Sequence, residues 1–311
     1  MSKTWLSLED QVARLRRRGL IVDDDDACRR FLSQVSYYRF SGYFRYWQRS
    51  PDRGDNRFIE GASFSTIREV YETEQTIAAL TFEALQRLEI LLRTTFAHHY
   101  AQHASPEGAL THGKGLTQNP RPNEEPIEEH VLRDLDRSKE AYVSHYRDES
   151  KKGPQGEYLA DAYDHMPVWA ISESLSFGTL SRCIQACSGT PIIDNIAYSL
   201  GVARAPLASQ VRSLVYLRNR IAHHARIWNH SVLDAPQLPK NIRGRAKRNY
   251  GNFEPRSIFT ILVILDRLLT ASGISATWLS GDIWPHLENN PLTARGFLAP
   301  SKYGQMDLTV T

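Results

Sequence analysis

Cysteine is scarce in this chain. Among its 311 residues there are three, Cys28, Cys183 and Cys187. That sparse, odd set cannot build a disulfide framework and fits a reducing compartment. Cys183 and Cys187 are four apart and share a helix face, but no further cysteine is near enough to complete a zinc site. Long apolar runs are missing as well. The longest, Ile258 to Leu265, falls far short of the roughly 20 residues that a membrane span needs, and no secretory leader is visible. No membrane association is expected, and a cytoplasmic location is. Cofactor signatures are also thin. His112-Gly113-Lys114-Gly115 lacks the spacing and the Ser/Thr of a phosphate-binding loop. His99 and His103 form a helical i,i+4 pair without a third ligand. Neither a metal nor a cofactor is expected. Lysine is the last scarcity: of 38 basic residues, 30 are arginine and 8 lysine. Arginine holds phosphate with two parallel donors and stacks on bases, so this bias favours a polyanionic partner.

What is present is mostly helical periodicity. Residues 4–19 read as a helix, with Leu8, Val12 and Leu15 on one face and a stop at Gly19. The carboxylates of Asp23 to Asp26 open a second helix, suited to its N-terminal dipole. An aromatic and arginine-rich stretch, Ser36 to Trp47, follows, then a polar loop over 50–57. From Phe64 to about Gln102 apolar residues recur near the 3.6 period through Leu80, Leu85, Leu88, Leu92 and Phe96. Ser105 to Pro126 reads as a long surface loop. Helical patterns return at 127–147, 167–187, 191–200, 206–228 and 255–271. Between the last two lies a basic stretch without acids, read as a solvated loop. Strand-like alternation is hard to find, and no repeat of fixed period is seen. The expected fold is all-α: an N-terminal helical extension (1–60), a helical core (61–235), then a basic loop and C-terminal helical cap (236–311).

The chemistry concentrates at Arg218-Asn219-Arg220-Ile221-Ala222-His223. On a continued helix Leu214, Leu217, Ile221, His224 and Trp228 form an apolar stripe, while Asn219, His223 and Arg226 share a polar face. Helical phase therefore selects His223 over His224. Arg218, five residues earlier, lies about 140° around the helix from His223; its long side chain can bend toward that face, and a distorted turn or a second copy of the chain could bring the two closer. Such a set suits RNA cleavage. RNA carries its own nucleophile, the 2′-OH, and imidazole is the side chain that moves protons near neutrality. Arginine neutralises charge on the phosphate in the transition state, and Asn219 can orient the imidazole. The spacing alone has little specificity. With 30 arginines and 11 histidines, an arginine four to six residues ahead of a histidine is expected about three times by chance. Arg93 and His98 repeat the same spacing.

The surrounding residues carry more. Leu217-Arg218-Asn219-Arg220-Ile221-Ala222-His223-His224-Ala225-Arg226-Ile227-Trp228-Asn229 resembles the signature of abortive-infection (Abi) proteins of the AbiD/AbiF type, within the HEPN group of helical ribonucleases. Gly19-Leu20 with Ser36 to Tyr43 resembles the family's N-terminal pattern. Glu89 and Arg93 resemble its central helix, and Met166 to Ala170 with Leu175 to Ser181 resembles its Pro-x-Trp and Ser-Phe-Gly segment. The resemblance runs from about residue 8 to about residue 300. It implies a HEPN-like bundle, an antiphage or toxin role through metal-independent RNA cleavage, catalytic Arg218, Asn219 and His223, and a homodimer that joins two motifs. It also implies a small structured noncoding RNA as regulator.

Supporting roles are expected for Glu89, Arg93, His224 and Arg226; Glu89 and Arg93 form an i,i+4 pair in the favourable order. Candidate RNA contacts are Arg39 and Arg45, in the aromatic stretch, and Lys240, Arg243, Arg245, Lys247 and Arg248, whose five cations repel one another unless an anion is bound. Tyr37, Tyr38, Tyr43, Phe44 and Trp47 suit either base stacking or packing. Three readings stay open: an endoribonuclease, a non-catalytic RNA-binding scaffold, and a protein-binding regulator.

Overall fold

The strongest periodicity in the sequence becomes the longest element. In the computed structural model, which describes residues 5–117 and 125–308, helix α4 spans Phe64–His103, capped by the Ser63 side chain accepting from the Thr66 N–H. Its 40 residues make a rod of about 60 Å. Ile67, Val70, Ile77, Leu85, Leu88, Leu92, Phe96 and Tyr100 are buried along it, and much of the bundle packs on this axis.

Ahead of it come α1 (Leu8–Arg17), α2 (Asp25–Val35) and α3 (Tyr37–Phe44), followed by a two-stranded antiparallel ribbon of β1 (Gln48–Ser50) and β2 (Asp55–Phe58). The ribbon replaces the loop expected over 50–57: Gln48 pairs with Phe58 and Ser50 with Asp55, and the turn closes through Gly54 in a left-handed conformation. The Asp24 carboxylate caps α2 at the Ala27 N–H, the role that the acidic run announced. The aromatic stretch is largely packing. Phe40, Tyr43, Phe44, Tyr46 and Trp47 are buried, while Tyr38 alone among its aromatic rings is 82% exposed.

After α4 follow α5 (Ile127–Arg137), α6 (Ala141–Tyr146), α7 (Val168–Ser174), α8 (Phe177–Ala186), α9 (Pro191–Ser199) and α10 (Arg204–Ala222). The expected loop at 105–126 lies partly outside the described residues. Its first part is not simply a surface loop: Ala109, Leu110 and Thr111 are buried, and the Thr117 N–H donates to the Ala186 carbonyl. The chain ends in α11 (Lys240–Tyr250), α12 (Ile258–Ala271), α13 (Trp284–Glu288) and α14 (Pro291–Leu298). The basic stretch is thus a helix, not a loop. Its Ala246 is buried and Ile242 half-buried against the core, and that apolar strip is what stabilises helix there.

The result is an all-α helical bundle with one contiguous core running from Val12 in α1 to Phe297 in α14. No described helix is long and apolar enough to cross a membrane. The three cysteines are buried and free. Burial pushes the Cys28 thiol up to about 11 and Cys187 up to about 12, which makes both poor nucleophiles.

Candidate active site

Three charged side chains meet where α4, α8 and α10 pack. Glu89 of α4 pairs with Arg93 one turn later at 2.9 Å and with Arg218 of α10 at 3.4 Å. The two arginines have different remaining duties. Arg93, 8% exposed, donates to the carbonyls of Ser172 and Leu175 and so satisfies the C-terminal end of α7. Arg218 lies over the Phe177 ring at 5.4 Å, pairs with no other carboxylate among the described residues, and keeps a quarter of its side chain exposed. One carboxylate thus faces two guanidiniums. The surplus positive charge falls on Arg218, the arginine whose donors are not spent on backbone.

The expected helix 206–228 ends early. α10 stops at Ala222, and His223 is its C-cap, with its N–H on the Asn219 carbonyl at 3.0 Å. His224 then takes a left-handed conformation at φ 52°. Its N–H returns to the Ile221 carbonyl at 2.9 Å, and the Ala225 N–H returns to Arg220 at 2.8 Å. These two bonds form a Schellman ending, whose left-handed position is usually glycine. The early stop overturns the helical-phase argument. His224 does not face the core but is exposed, as are His223 and Asn219. Arg226 does not join the His223 face. Its guanidinium donates to the Gly42 carbonyl and, at 3.4 Å, to the Tyr46 hydroxyl.

Residues from three distant parts of the chain hold this turn. Arg39 of α3 donates to the His224 carbonyl, and Arg220 donates to the Arg226 carbonyl at 2.5 Å. Fully buried Glu74 accepts from the Ile227 N–H at 2.5 Å; burial raises its carboxyl above the usual range, against the pull of Tyr43, the Ile227 and Trp228 amides and Arg226. Trp228 fills a socket between Tyr43, Tyr46 and Trp47 and donates through Nε1 to the Leu292 carbonyl at 3.2 Å. Gly296 must be glycine here, because a Cβ would lie 2.2 Å from that indole nitrogen. Asn229 locks the far end through paired bonds with the Ser301 backbone, 2.7 and 3.2 Å long. His230 bonds to the Tyr216 hydroxyl at 2.5 Å. Burial, reinforced by Arg220 and Arg226, pushes it down to about 4, so it stays neutral near pH 7.

The remaining expected residues divide. Arg39 sits at the motif turn with an exposed side chain, next to exposed Tyr38. Arg45 is drawn into packing, donating to the Pro51 carbonyl at 3.4 Å and lying 5.1 Å from the Tyr303 ring. On α11, Lys240, Arg245, Lys247 and Arg248 are exposed, Arg243 lies 5.7 Å from the Phe253 ring, and none forms an ion pair with a described residue. His99 and His103 reach Ser199 and Asn195 on α9. Sequence reasoning missed Glu74, Arg220 and Phe177. Glu74 had a signal: it is an acid in helical phase with the apolar positions Ile67, Val70 and Ile77.

Comparison with known proteins adds one match: the profile of the Abi-like protein family fits residues 30–229, about two thirds of the chain. That span begins in α2 and ends at Asn229, where the socket closes on the segment after the motif. No curated protein and no solved structure matches the chain.

Proposed function

The chain belongs to the Abi-like protein family, which gives it an abortive-infection role, and from that premise we propose that it is a metal-independent endoribonuclease of HEPN type. The observation that carries this reading is the unequal sharing of Glu89. Arg218 keeps donors and charge to spare at the end of a helix whose next turn presents exposed His223. In the proposed reaction an imidazole takes the proton of the ribose 2′-OH, the oxygen attacks the adjacent phosphorus, and the 5′ oxygen leaves with a proton. Arg218 neutralises the phosphorane, and Asn219 supplies a donor beside it. The products are a 2′,3′-cyclic phosphate and a 5′-OH. Arg218 and His223 lie on different sides of the helix end, which supports a homodimer in which each motif completes the other.

The basic face of α11 supports RNA as the partner, by phosphate contacts that carry no sequence information. A small structured RNA acting as regulator would engage the same face. The location that fits such a role is the cytoplasm.

The test is cleavage of RNA in EDTA, with end analysis. His223→Ala and Arg218→Ala should each lower the rate at least about a hundredfold, with melting temperatures little changed. Wild-type rates in both would exclude this site. If the wild type binds RNA tightly and does not cut it, the α11 face favours a second reading, an RNA-binding scaffold. Its affinity should then fall steeply with salt.

A further inference from the structure

Behind the basic helix lies a cavity of 450 Å³, between α11, α12 and the segment from Ala276 to Ser280, where a short π-helix begins at Trp278. Ala246, Val263 and Leu279 give it buried apolar walls. Into it α12 sets one carboxylate, Asp266. Oδ1 accepts the Leu279 N–H at 3.0 Å, while Oδ2 has no partner among the described residues. Two guanidiniums line the same cavity. Arg267 gives one N–H to the Gly201 carbonyl at 2.9 Å, and Arg245 forms no ion pair with a described residue. A slot of this size, in which convergent polar and charged groups face a few apolar walls, can hold a small polar ligand.

The polar groups narrow the ligand. A carboxylate is acceptor-only and pairs best with two parallel donors. Among the four common RNA bases, guanine alone presents two neighbouring N–H donors, N1 and N2, on its pairing edge. Adenine, cytosine and uracil each place an acceptor beside the donor, and a carboxylate repels it. Guanidiniums suit phosphate. We propose that this cavity binds a guanine nucleotide, with the base edge on Asp266, the ring against Val263 and Leu279, and the phosphate on Arg245 and Arg267.

The guanine can arrive as free nucleotide or as one residue of an RNA strand crossing α11. The site is separate from Arg218 and His223, so it stands or falls independently of the ribonuclease reading.

Calorimetric titration of the full chain with GMP, AMP, CMP and UMP tests it. GMP should bind at least about tenfold more tightly than the other three, a difference of about 1.4 kcal/mol. Asp266→Asn keeps the oxygen that accepts from Leu279 but turns a donor toward the guanine. It should weaken GMP about tenfold or more while the melting temperature holds. Arg245→Ala should weaken GMP and leave guanosine unchanged. A short single-stranded RNA with one guanosine, compared with the same strand without it, separates the sources: if the strand supplies the base, Asp266→Asn weakens only the guanosine-containing RNA. Equal binding of all four nucleotides, wild-type GMP affinity in Asp266→Asn, or no GMP binding by folded protein overturns the assignment.

Discussion

Arg93 with His98, and Arg218 with His223, have the same spacing in one chain, and Glu89 touches both arginines. Their surroundings make them opposites. Arg93 lies mid-helix, almost buried, and spends its donors on the Ser172 and Leu175 carbonyls. His98 follows on a helix that continues to His103. Among the described residues Arg218 has Glu89 as its one polar partner, and its helix ends one residue before His223. Two properties that spacing cannot express separate a structural arginine from a candidate catalytic one: where the helix stops, and how many donors are already committed.

The sharpest way to break this comparison is to remove the buried arginine. Arg93→Met strands two carbonyls and half of the Glu89 partnership inside the bundle. Loss of one partner of such a buried network costs about 3–5 kcal/mol, read as a lower urea midpoint at constant slope. Arg218→Met, at a more exposed position, should cost much less stability. The reverse order would mean that Arg218 is the structural member.

Next in size is the socket that holds the turn after His223. Glu74 is fully buried and its carboxyl is raised in the folded state, chiefly by desolvation. The folded state therefore binds its proton up to a higher pH than the unfolded chain, and stability falls as pH rises from about 4.5, the ordinary glutamate value, through the raised folded value. Glu74→Gln keeps an acceptor for the Ile227 N–H and removes the titration. The melting temperature of Glu74→Gln relative to wild type should climb with pH across that window and level off above it. A difference that stays flat with pH would show that Glu74 is not desolvated in this way.

The sequence made the bundle legible because helix formation is local. The 3.6 period marked α4, and Asp24 and Gly19 marked a start and a stop. It located the Glu89–Arg93 pair through i,i+4 spacing. It could not show that α10 ends at Ala222, because Ile221, His224 and Trp228 keep helical phase past the true end. The stop is enforced from outside, by Arg39, Glu74, Leu292 and Ser301, which lie up to 185 residues from their partners in sequence. The second ion-pair contact of Glu89, to Arg218, spans 129 residues and leaves no local pattern. The basic stretch read as a loop because its apolar positions, Ile242 and Ala246, are too few to show a period.

A smaller effect sharpens the motif side. His224 holds a left-handed backbone that costs a non-glycine residue about 1–2 kcal/mol. His224→Gly should therefore raise stability by about 1 kcal/mol, measured by chemical denaturation. Its RNA cleavage should stay near wild type if His223 alone moves the protons; a large fall would assign the His224 imidazole a share of the chemistry.

The smallest expected effect is also the control for the whole comparison. His98→Ala removes an exposed side chain on the outer face of α4, in a helix where alanine is the better former. Stability should move by less than about 0.5 kcal/mol, and cleavage should be unchanged. His98 shares the spacing but neither the helix end nor an arginine with donors to spare. If spacing itself built the site, His98→Ala and His223→Ala would fail together. A loss of cleavage in His98→Ala at wild-type stability would make Arg93 and His98 a second active motif, and the difference drawn between the two arginines would fall.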